Sequence, residues 1–334
     1  MDDGQTQSRK KDHIKICLTE PVNFDKKSGF ENYEFEPTLP SIDIDKIDTS
    51  IDFFGKKLAA PIYISGMIGG VEEAGRINKN LAKAAQLSGL AMGVGSMRAA
   101  IEKPEVAYTY QVRDVAPDIF LLANVGASQL TEYSTEQILS LIELIDADAL
   151  AIHINPVQEV VQSDGTKNWE GVMERISEIC KASKKPVIAK EVGCGIPGSM
   201  AKQLAAAGVK AIDVAGAGGT SWVKVEYFRG NEIAKSFWEW GKPTAECLAE
   251  CVQAVNLPIL ASGGIRAGED IAKAVTLGAK AAGMARPLLR EAVNSAEKAH
   301  QFLENLKLEL RSTMFLVGAK NIESLKAAKL VKRG

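Results

Sequence analysis

A chain of 334 residues with 46% hydrophobic and 25% charged residues has an ordinary globular composition, which excludes a disordered or collagen-like chain. The 40 Lys plus Arg against 42 Asp plus Glu give a formal net charge of −2, so no nucleic-acid partner and no polybasic membrane contact is expected. No apolar run approaches the ~20 residues that cross a bilayer, and the polar opening MDDGQTQSRKKDH lacks the apolar core of a secretory signal. The expectation is a cytoplasmic protein. Cys17, Cys180, Cys194, Cys247 and Cys251 are too dispersed for a disulfide framework. Cys247 and Cys251 share one face of a helix, a spacing that suits half a metal site, although the apolar period around them favours two packed core residues. His13, His153 and His300 show no metal-ligand spacing, which argues against a zinc enzyme.

In chain order, residues 1 to about 57 come first and include ENYEFEPTLPSIDIDKIDTSIDF, read as a cap with a short hairpin. Eight short apolar runs follow. They are PIYIS from Pro61, LAMGV from Leu90, IFLLA from Ile119, ALAIH from Ala149, PVIAK from Pro186, AIDVA from Ala211, PILAS from Pro258 and AAGMA from Ala281. The first four start 29, 29 and 30 residues apart, an internal period. Each is too short for a helix interior and reads as a strand buried on both faces. Between them lie EEAGRINKNLAKAAQLSG, PEVAYTYQVRDVA, STEQILSLIELIDA, WEGVMERISEICKAS, GSMAKQLAAAG, TAECLAECVQAV and GEDIAKAVTLG, read as helices. Ser134 and Thr135 ahead of Glu136 mark a start, and Gly208 and Gly278 mark stops. Eight strands alternating with helices predict an α/β fold closed as a (β/α)8 TIM barrel over residues 58–334. The competing doubly wound open sheet rarely needs eight units. After the sixth strand, GAGGTSWVKVEYFRGNEIAKSFWEWGKP is too long for an ordinary loop and carries Trp222, Trp238 and Trp240. It reads as a lid or substrate wall, or as an oligomer contact.

Barrel active sites sit at the C-terminal ends of the strands, so the residues there are the candidates. Glycines recur at five ends, among them Gly66, Gly216 to Gly219 in GAGGT, and Gly263 with Gly264. The ends after strands seven and eight form the usual phosphate cradle of such barrels, followed by a helix N-terminus. Lys190 points into the mouth of a mostly apolar barrel. It suits a Schiff base, the stabilisation of an anionic cofactor, or a structural salt bridge with Glu191.

These strings resemble the type 2 isopentenyl-diphosphate isomerase family, FMN-dependent (β/α)8 enzymes, over nearly the whole chain. The resemblance rests on Arg9-Lys10 with His13, PIYISGMIGG, GVGSMRAA, LLANVGA, HINPVQE, KEVGCGI, DVAGAGGTSW, SGGIRAG and GMARPLL. HINPVQE and GSMR separate it from other FMN barrels such as hydroxy-acid oxidases. The resemblance implies interconversion of isopentenyl and dimethylallyl diphosphate with reduced FMN, Mg²⁺ and NADPH as reductant, in a homotetramer or homo-octamer. It also implies that residues 1–57 contribute substrate-binding groups to the FMN-binding barrel. Gly66, Met67, Ser96, Asn124, Lys190 and Thr220 would contact the flavin, with Gly263, Gly264, Ala285 and Arg286 at its phosphate. Arg9, Lys10, Ser96, Met97, Arg98, His153 and Asn155 would surround the diphosphate, Gln158 would meet the hydrocarbon, and Glu159 would bind Mg²⁺. Gln158, Lys190 and His153 are the candidate catalytic residues. Ile68 stands where a threonine is usual and Pro197 where a serine is common, each removing a hydroxyl near the expected flavin.

Physical chemistry agrees with that assignment. Arg9, Lys10, Arg98 and His153 match the charge of a diphosphate, and Mg²⁺ needs few protein ligands, so one carboxylate suffices. Moving a proton within an unactivated alkene demands a potent acid–base group. Gln158 does not titrate, Glu159 is committed to metal and His153 to phosphate. By elimination the proton traffic falls to the reduced flavin, with Lys190 stabilising its anionic ring. A hydroxy-acid oxidase or dehydrogenase is the competing reading. It needs a catalytic His or Cys on a strand-end loop and a carboxylate-binding Arg pair, which the sequence does not show.

Overall fold

The computed structural model describes residues 5–333. All eight apolar runs form strands: β1 (Ile62–Ile64), β2 (Ala91–Gly93), β3 (Leu121–Gly126), β4 (Ala149–Ile154), β5 (Val187–Glu191), β6 (Ala211–Asp213), β7 (Ile259–Ser262) and β8 (Ala281–Met284). They pair in parallel and close as a barrel in the order β7-β8-β1-β2-β3-β4-β5-β6. Nearly every residue of these strands is buried, because side chains facing outward meet helices and those facing inward fill the barrel. The open-sheet alternative is excluded by the closing ladder, in which Tyr63 of β1 lies opposite Gly283 of β8.

Six of the seven helical stretches are α-helices, within a residue or a few at their ends. Ser134 caps Thr135–Leu144 through Gln137 in a full capping box, and Gly208 ends Gly198–Ala207 in the left-handed region at φ 102°. The exception is PEVAYTYQVRDVA, which forms a 3-10 helix over Pro104–Thr109 and then turns. Its apolar spacing serves a different purpose there: Tyr110 is driven wholly into the interior beneath the β1 loop. β3 also runs past its expected end, so Asn124 lies inside the strand opposite Ala151 of β4 rather than at its tip.

The N-terminal extension is more structured than a cap with a hairpin. A helix over Gln5–Thr19 opens it. The hairpin pairs Ile51–Phe53 with Lys56–Leu58 through Phe54 (φ 51°) and Gly55 (φ 85°), the two left-handed residues of a tight turn. Tyr33–Phe35 instead pairs antiparallel with Leu330–Lys332 near the other end of the chain. Cys247 and Cys251 are buried core residues, as their apolar surroundings imply. Among the described residues no helix is long and apolar enough to cross a membrane.

Candidate active site

The C-terminal ends of the strands open into one cavity of about 500 Å³, and the N-terminal segment lies across it. Two backbone bonds stitch that segment to the loop after β6: Phe24 N–H donates to Gly219 O at 2.9 Å, and Ser221 N–H to Val22 O at 2.8 Å. Arg286 completes the clamp. Its guanidinium donates to Cys17 O (2.6 Å), Glu20 O (2.9 Å) and Asn23 Oδ1 (2.9 Å). The result brings Arg9, Lys10 and His13 to the cavity wall, far in sequence from the strand-end residues they meet there. Part of Arg286, which the resemblance gives to a phosphate, is therefore spent on holding this segment.

One end of the cavity is cationic. Lys10 Nζ donates to Tyr110 Oη at 2.8 Å and to Ser96 O at 3.1 Å, and Tyr110 Oη donates to the same carbonyl at 2.8 Å. Burial, and then repulsion from Arg9, pull the Lys10 ammonium down to about 7 despite attraction from Glu102; Arg98 lowers it further. Arg9 pairs with Asp164 at 2.6 Å and Arg98 with Glu102 at 2.6 Å. His13 Nε2 lies 2.9 Å from Glu226 Oε1, and its ring meets Trp222 edge-on at 5.1 Å. Mutually repelling cations around an open space are a site shaped for an anion. Ser96 and Arg98 face this space, but Met97 does not: its side chain is fully buried while its N–H donates to Asn124 O at 2.8 Å. Turning Met97 inward is what lets its two neighbours face out.

Beside the cations lies the polar motif of β4 and the short helix after it. Glu159 is buried, its Oε2 accepting the Thr166 N–H at 2.7 Å and its Oε1 accepting Asn155 Nδ2 at 3.1 Å. Asn155 Nδ2 also reaches Gln158 Oε1 at 3.2 Å, while Asn155 Oδ1 is buried without a partner. An orphaned oxygen beside a buried carboxylate fits a hard cation that keeps waters and phosphate oxygens of its own. His153 Nδ1 lies 2.9 Å from Asn124 Oδ1, whose amide nitrogen donates to Val94 O at 3.0 Å. That orientation makes Nδ1 the donor. Burial, then the charges of Lys190 and Lys10, push the imidazole down to about 3, so it is neutral.

At the opposite end glycines form the wall. Gly263 (φ 98°) and Gly264 (φ 78°) are left-handed, and a Cβ on Gly263 would lie 2.1 Å from Gly216 O. No other residue permits β6 and β7 to end so close together. Ala285 and Arg286 open the helix Arg286–Asn294, whose N-terminus completes a cradle suited to a phosphate. Gly66, Met67, Ile68, Asn124, Lys190 and Thr220 line the space between the cradle and the cations. Pro197 is not among the lining residues. It precedes the outer helix Gly198–Ala207, so of the two departures only Ile68 bears on the cavity.

Lys190 Nζ donates to the carbonyl of Glu191 at 2.7 Å. The Glu191 carboxylate turns the other way, accepting N–H groups from Val192 and Gly193 at 2.7 Å and from Gly195 at 3.2 Å, with Cys194 N–H also on it. Burial pushes this carboxyl up to about 7 against those four bonds. The salt-bridge reading of Lys190 with its neighbour is therefore replaced by a backbone nest that shapes the turn.

Sequence reasoning passed over Tyr110, Asp164 and Glu226. Glu226 is fully buried in the helix Trp222–Phe228 of the long segment after β6, holding His13, Arg229 Nη1 (2.6 Å) and Asn231 Nδ2 (3.1 Å). Its signal was an acidic residue between Val225 and Tyr227 in the string VKVEYF. The same segment supplies a wall through Trp222, while Trp240 and Ile233, each 60% exposed, face outward.

The chain is 50% identical to the isopentenyl-diphosphate delta-isomerase of Nostoc sp. (strain PCC 7120), covering 99% of this chain and 97% of that protein. It is 47% identical to that of Pyrococcus abyssi (strain GE5 / Orsay), over 99% and 93%. It belongs to the type 2 isopentenyl-diphosphate delta-isomerase family. A sequence model described as FMN-dependent dehydrogenase matches residues 146–332. That match spans β4 to β8, the phosphate cradle and Lys190, but not Arg9, Lys10 or Ser96 to Arg98. Among solved structures, a mutant flavocytochrome b2 with pyruvate bound superimposes with a TM-score of 0.72 at 19% identity, covering 96% of this chain and 82% of that one. Mandelate oxidase with (S)-2-phenylpropionate gives 0.67 at 19% identity, covering 98% of each. At such identities these two establish the barrel fold alone.

Proposed function

We propose that this isomerase-family protein interconverts isopentenyl and dimethylallyl diphosphate, using FMN in its reduced form and Mg²⁺, with NADPH as the reductant. The layout of charge across the one cavity supports this most directly. Arg9, Lys10, Arg98 and His153 stand at one end, Glu159 with the unpartnered Asn155 oxygen lies beside them, and the glycine cradle closes the other end. Two separate anion sites with a metal site at one of them suit a diphosphate substrate and a phosphate-bearing cofactor together.

The chain's own residues have the following parts. Arg9, Lys10 and Arg98 bind and orient the diphosphate, and Ser96 presents its backbone turn to it. His153 is neutral with Nε2 free of its own proton, so it joins them as a donor only once an approaching anion raises its basicity. Glu159 and Asn155 hold Mg²⁺ against the phosphate oxygens. Gln158, carried on the same helix turn, lies beside the substrate's hydrocarbon. Gly263, Gly264, Ala285 and Arg286 receive the cofactor phosphate, and Met67, Asn124 and Thr220 flank its ring. Lys190 supplies a fixed positive charge next to that ring. Trp222 and the N-terminal helix exclude water from the reacting carbons. Bound FMN, when reduced, supplies the proton donor and acceptor that these side chains lack. Free, largely buried cysteines suit the reducing cytoplasm, and the exposed Trp240 and Ile233 suit burial in a homo-oligomer.

The test is turnover against flavin oxidation state. With substrate and Mg²⁺, the oxidised protein should be inactive, and dithionite or NADPH without oxygen should switch it on for many turnovers per reduction. Product formed in D₂O should carry deuterium. The hydroxy-acid dehydrogenase reading expects substrate itself to bleach the flavin stoichiometrically. Full activity with the flavin held oxidised refutes the role given to the cofactor.

A further inference from the structure

Lys190 on β5 and Asp213 on β6 are register partners in the parallel ladder, so their side chains leave the same face of the sheet about 4.8 Å apart. Both lie inside the barrel, where they line a small pocket that joins the large cavity through Gly66, Asn124 and Lys190. Asp213 is buried and densely supplied with donors. Its Oδ2 accepts Tyr63 Oη–H at 2.5 Å, and its Oδ1 accepts Ser262 Oγ–H at 2.7 Å and Ala215 N–H at 3.3 Å. Tyr63 reaches it across the barrel because position 283 has no side chain: a Cβ there would lie 2.3 Å from the Tyr63 ring. Three strands thus converge on one carboxylate beneath the expected flavin.

Among the described residues no group of His, Cys, Asp or Glu side chains is placed to hold a metal ion there, and Asp213 does not line the large cavity in which the diphosphate is expected. The charged or titratable groups facing Lys190 are Asp213 on β6, His153 opposite it on β4, and Glu191 on its own strand. An imidazole carries no negative charge in either protonation state, and the Glu191 carboxylate is turned onto the Val192 to Gly195 backbone. Asp213 is left as the counter-charge. In keeping with this, burial drives Lys190 downward while Asp213 first and Glu191 second push it back up. Burial drives Asp213 upward, and Lys190, Tyr63 and Ser262 oppose it. A buried ammonium deprived of its partner gives up its proton, because desolvation then acts alone.

We propose that Asp213 is the positioning residue for Lys190: held charged by Tyr63 and Ser262, it keeps the Lys190 ammonium cationic, and so sets how strongly the site favours reduced over oxidised flavin. This rests on the reading that the cavity holds FMN with Lys190 beside its ring. Asp213 acts through Lys190 and does not touch the substrate.

The sign of the effect separates this from a passive carboxylate. Removing a negative charge that did nothing else would make the anionic reduced flavin easier to form at every pH. If Asp213 instead maintains the Lys190 charge, its loss makes reduced flavin harder to hold wherever Lys190 has lost its proton. The experiment measures the oxidised and reduced FMN affinities of the full chain from about pH 6 to about pH 9, by titration and midpoint potential, for wild type, Asp213→Asn, Tyr63→Phe, Lys190→Ala and the Asp213→Asn/Lys190→Ala pair. In Asp213→Asn the preference for reduced flavin should fall with rising pH to at least about tenfold below wild type, about one pKa unit of lost interaction. The double variant should match Lys190→Ala and show no such pH step. Tyr63→Phe, which keeps the carboxylate but removes one donor, should fall between wild type and Asp213→Asn, and it carries the test if Asp213→Asn does not fold. A preference for reduced flavin that is unchanged or raised at all pH in Asp213→Asn, or unchanged in Tyr63→Phe where only that variant folds, overturns the proposal. Wild-type protein that takes up no FMN refutes the flavin reading itself, a separate result.

Discussion

Lys10 offers the sharpest quantitative prediction, since its ordinary ammonium range near 10.5 is drawn down to about 7 by burial and by its cationic neighbours. A diphosphate placed among Lys10, Arg9 and Arg98 reverses the repulsive part and supplies an anion, so the bound complex holds Lys10 protonated. The sign then follows. Below about pH 7 the free protein already carries the proton and affinity does not vary with pH through Lys10, whereas above it each complex must take up a proton. Affinity for diphosphate should therefore fall about tenfold per pH unit above neutrality, roughly tenfold at about pH 8 and a hundredfold at about pH 9. Isothermal titration with dimethylallyl diphosphate and oxidised flavin, run in buffers of different ionisation enthalpy, counts that proton directly. Near one proton should be taken up at about pH 8, and none should be attributable to this group at about pH 6. Lys10→Met should bind more weakly at low pH and lose this proton uptake, leaving only the ligand's own ionisation, a contribution that wild type shares. Equal uptake in wild type and Lys10→Met would place the titration elsewhere and break the argument.

Two further expectations concern other parts of the cavity. Glu159→Gln should raise the Mg²⁺ needed for half-maximal turnover by at least about 10–100-fold while FMN affinity stays near wild type; an unchanged Mg²⁺ requirement would make Glu159 a structural carboxylate for the Thr166 turn. Arg286→Ala should loosen the segment it clamps at Cys17, Glu20 and Asn23 by ~1.5–3 kcal/mol, the value of hydrogen bonds from a charged donor. Limited proteolysis around those residues should then quicken at least about tenfold, and wild-type cleavage rates would show that the clamp is dispensable.

The barrel was legible because its signal is local and repeated. A buried parallel strand is a short unbroken apolar run, and eight of them separated by helical periods leave one closed arrangement. Local patterns failed where burial served the site instead of the period. PEVAYTYQVRDVA has helical spacing, yet Tyr110 is turned inward to support Lys10 and Ser96, and the chain tightens to a 3-10 helix. The N-terminal helix carries no apolar stripe strong enough to announce itself, because Arg9, Lys10 and His13 share its inward side with Ile14 and Cys17.

Pairings between strands were less legible still. Glu191 is adjacent to Lys190 in sequence and invites a salt bridge, but alternation along a strand sends adjacent side chains to opposite faces. The true neighbour, Asp213, lies 23 residues further on and is brought alongside by the stagger of β5 against β6. Nothing in the string AIDVA distinguishes an aspartate that ends a strand in solvent from one that faces Lys190 inside a barrel. Tyr63 is equally ambiguous, since a tyrosine in PIYIS reads as core whether or not its hydroxyl has work to do. Its partner is marked only by the glycine at position 283 on the facing strand, a gap whose use is visible once the ladder registers the two together. Charge in a barrel interior is therefore a property of register, and register is the quantity a one-dimensional pattern carries least.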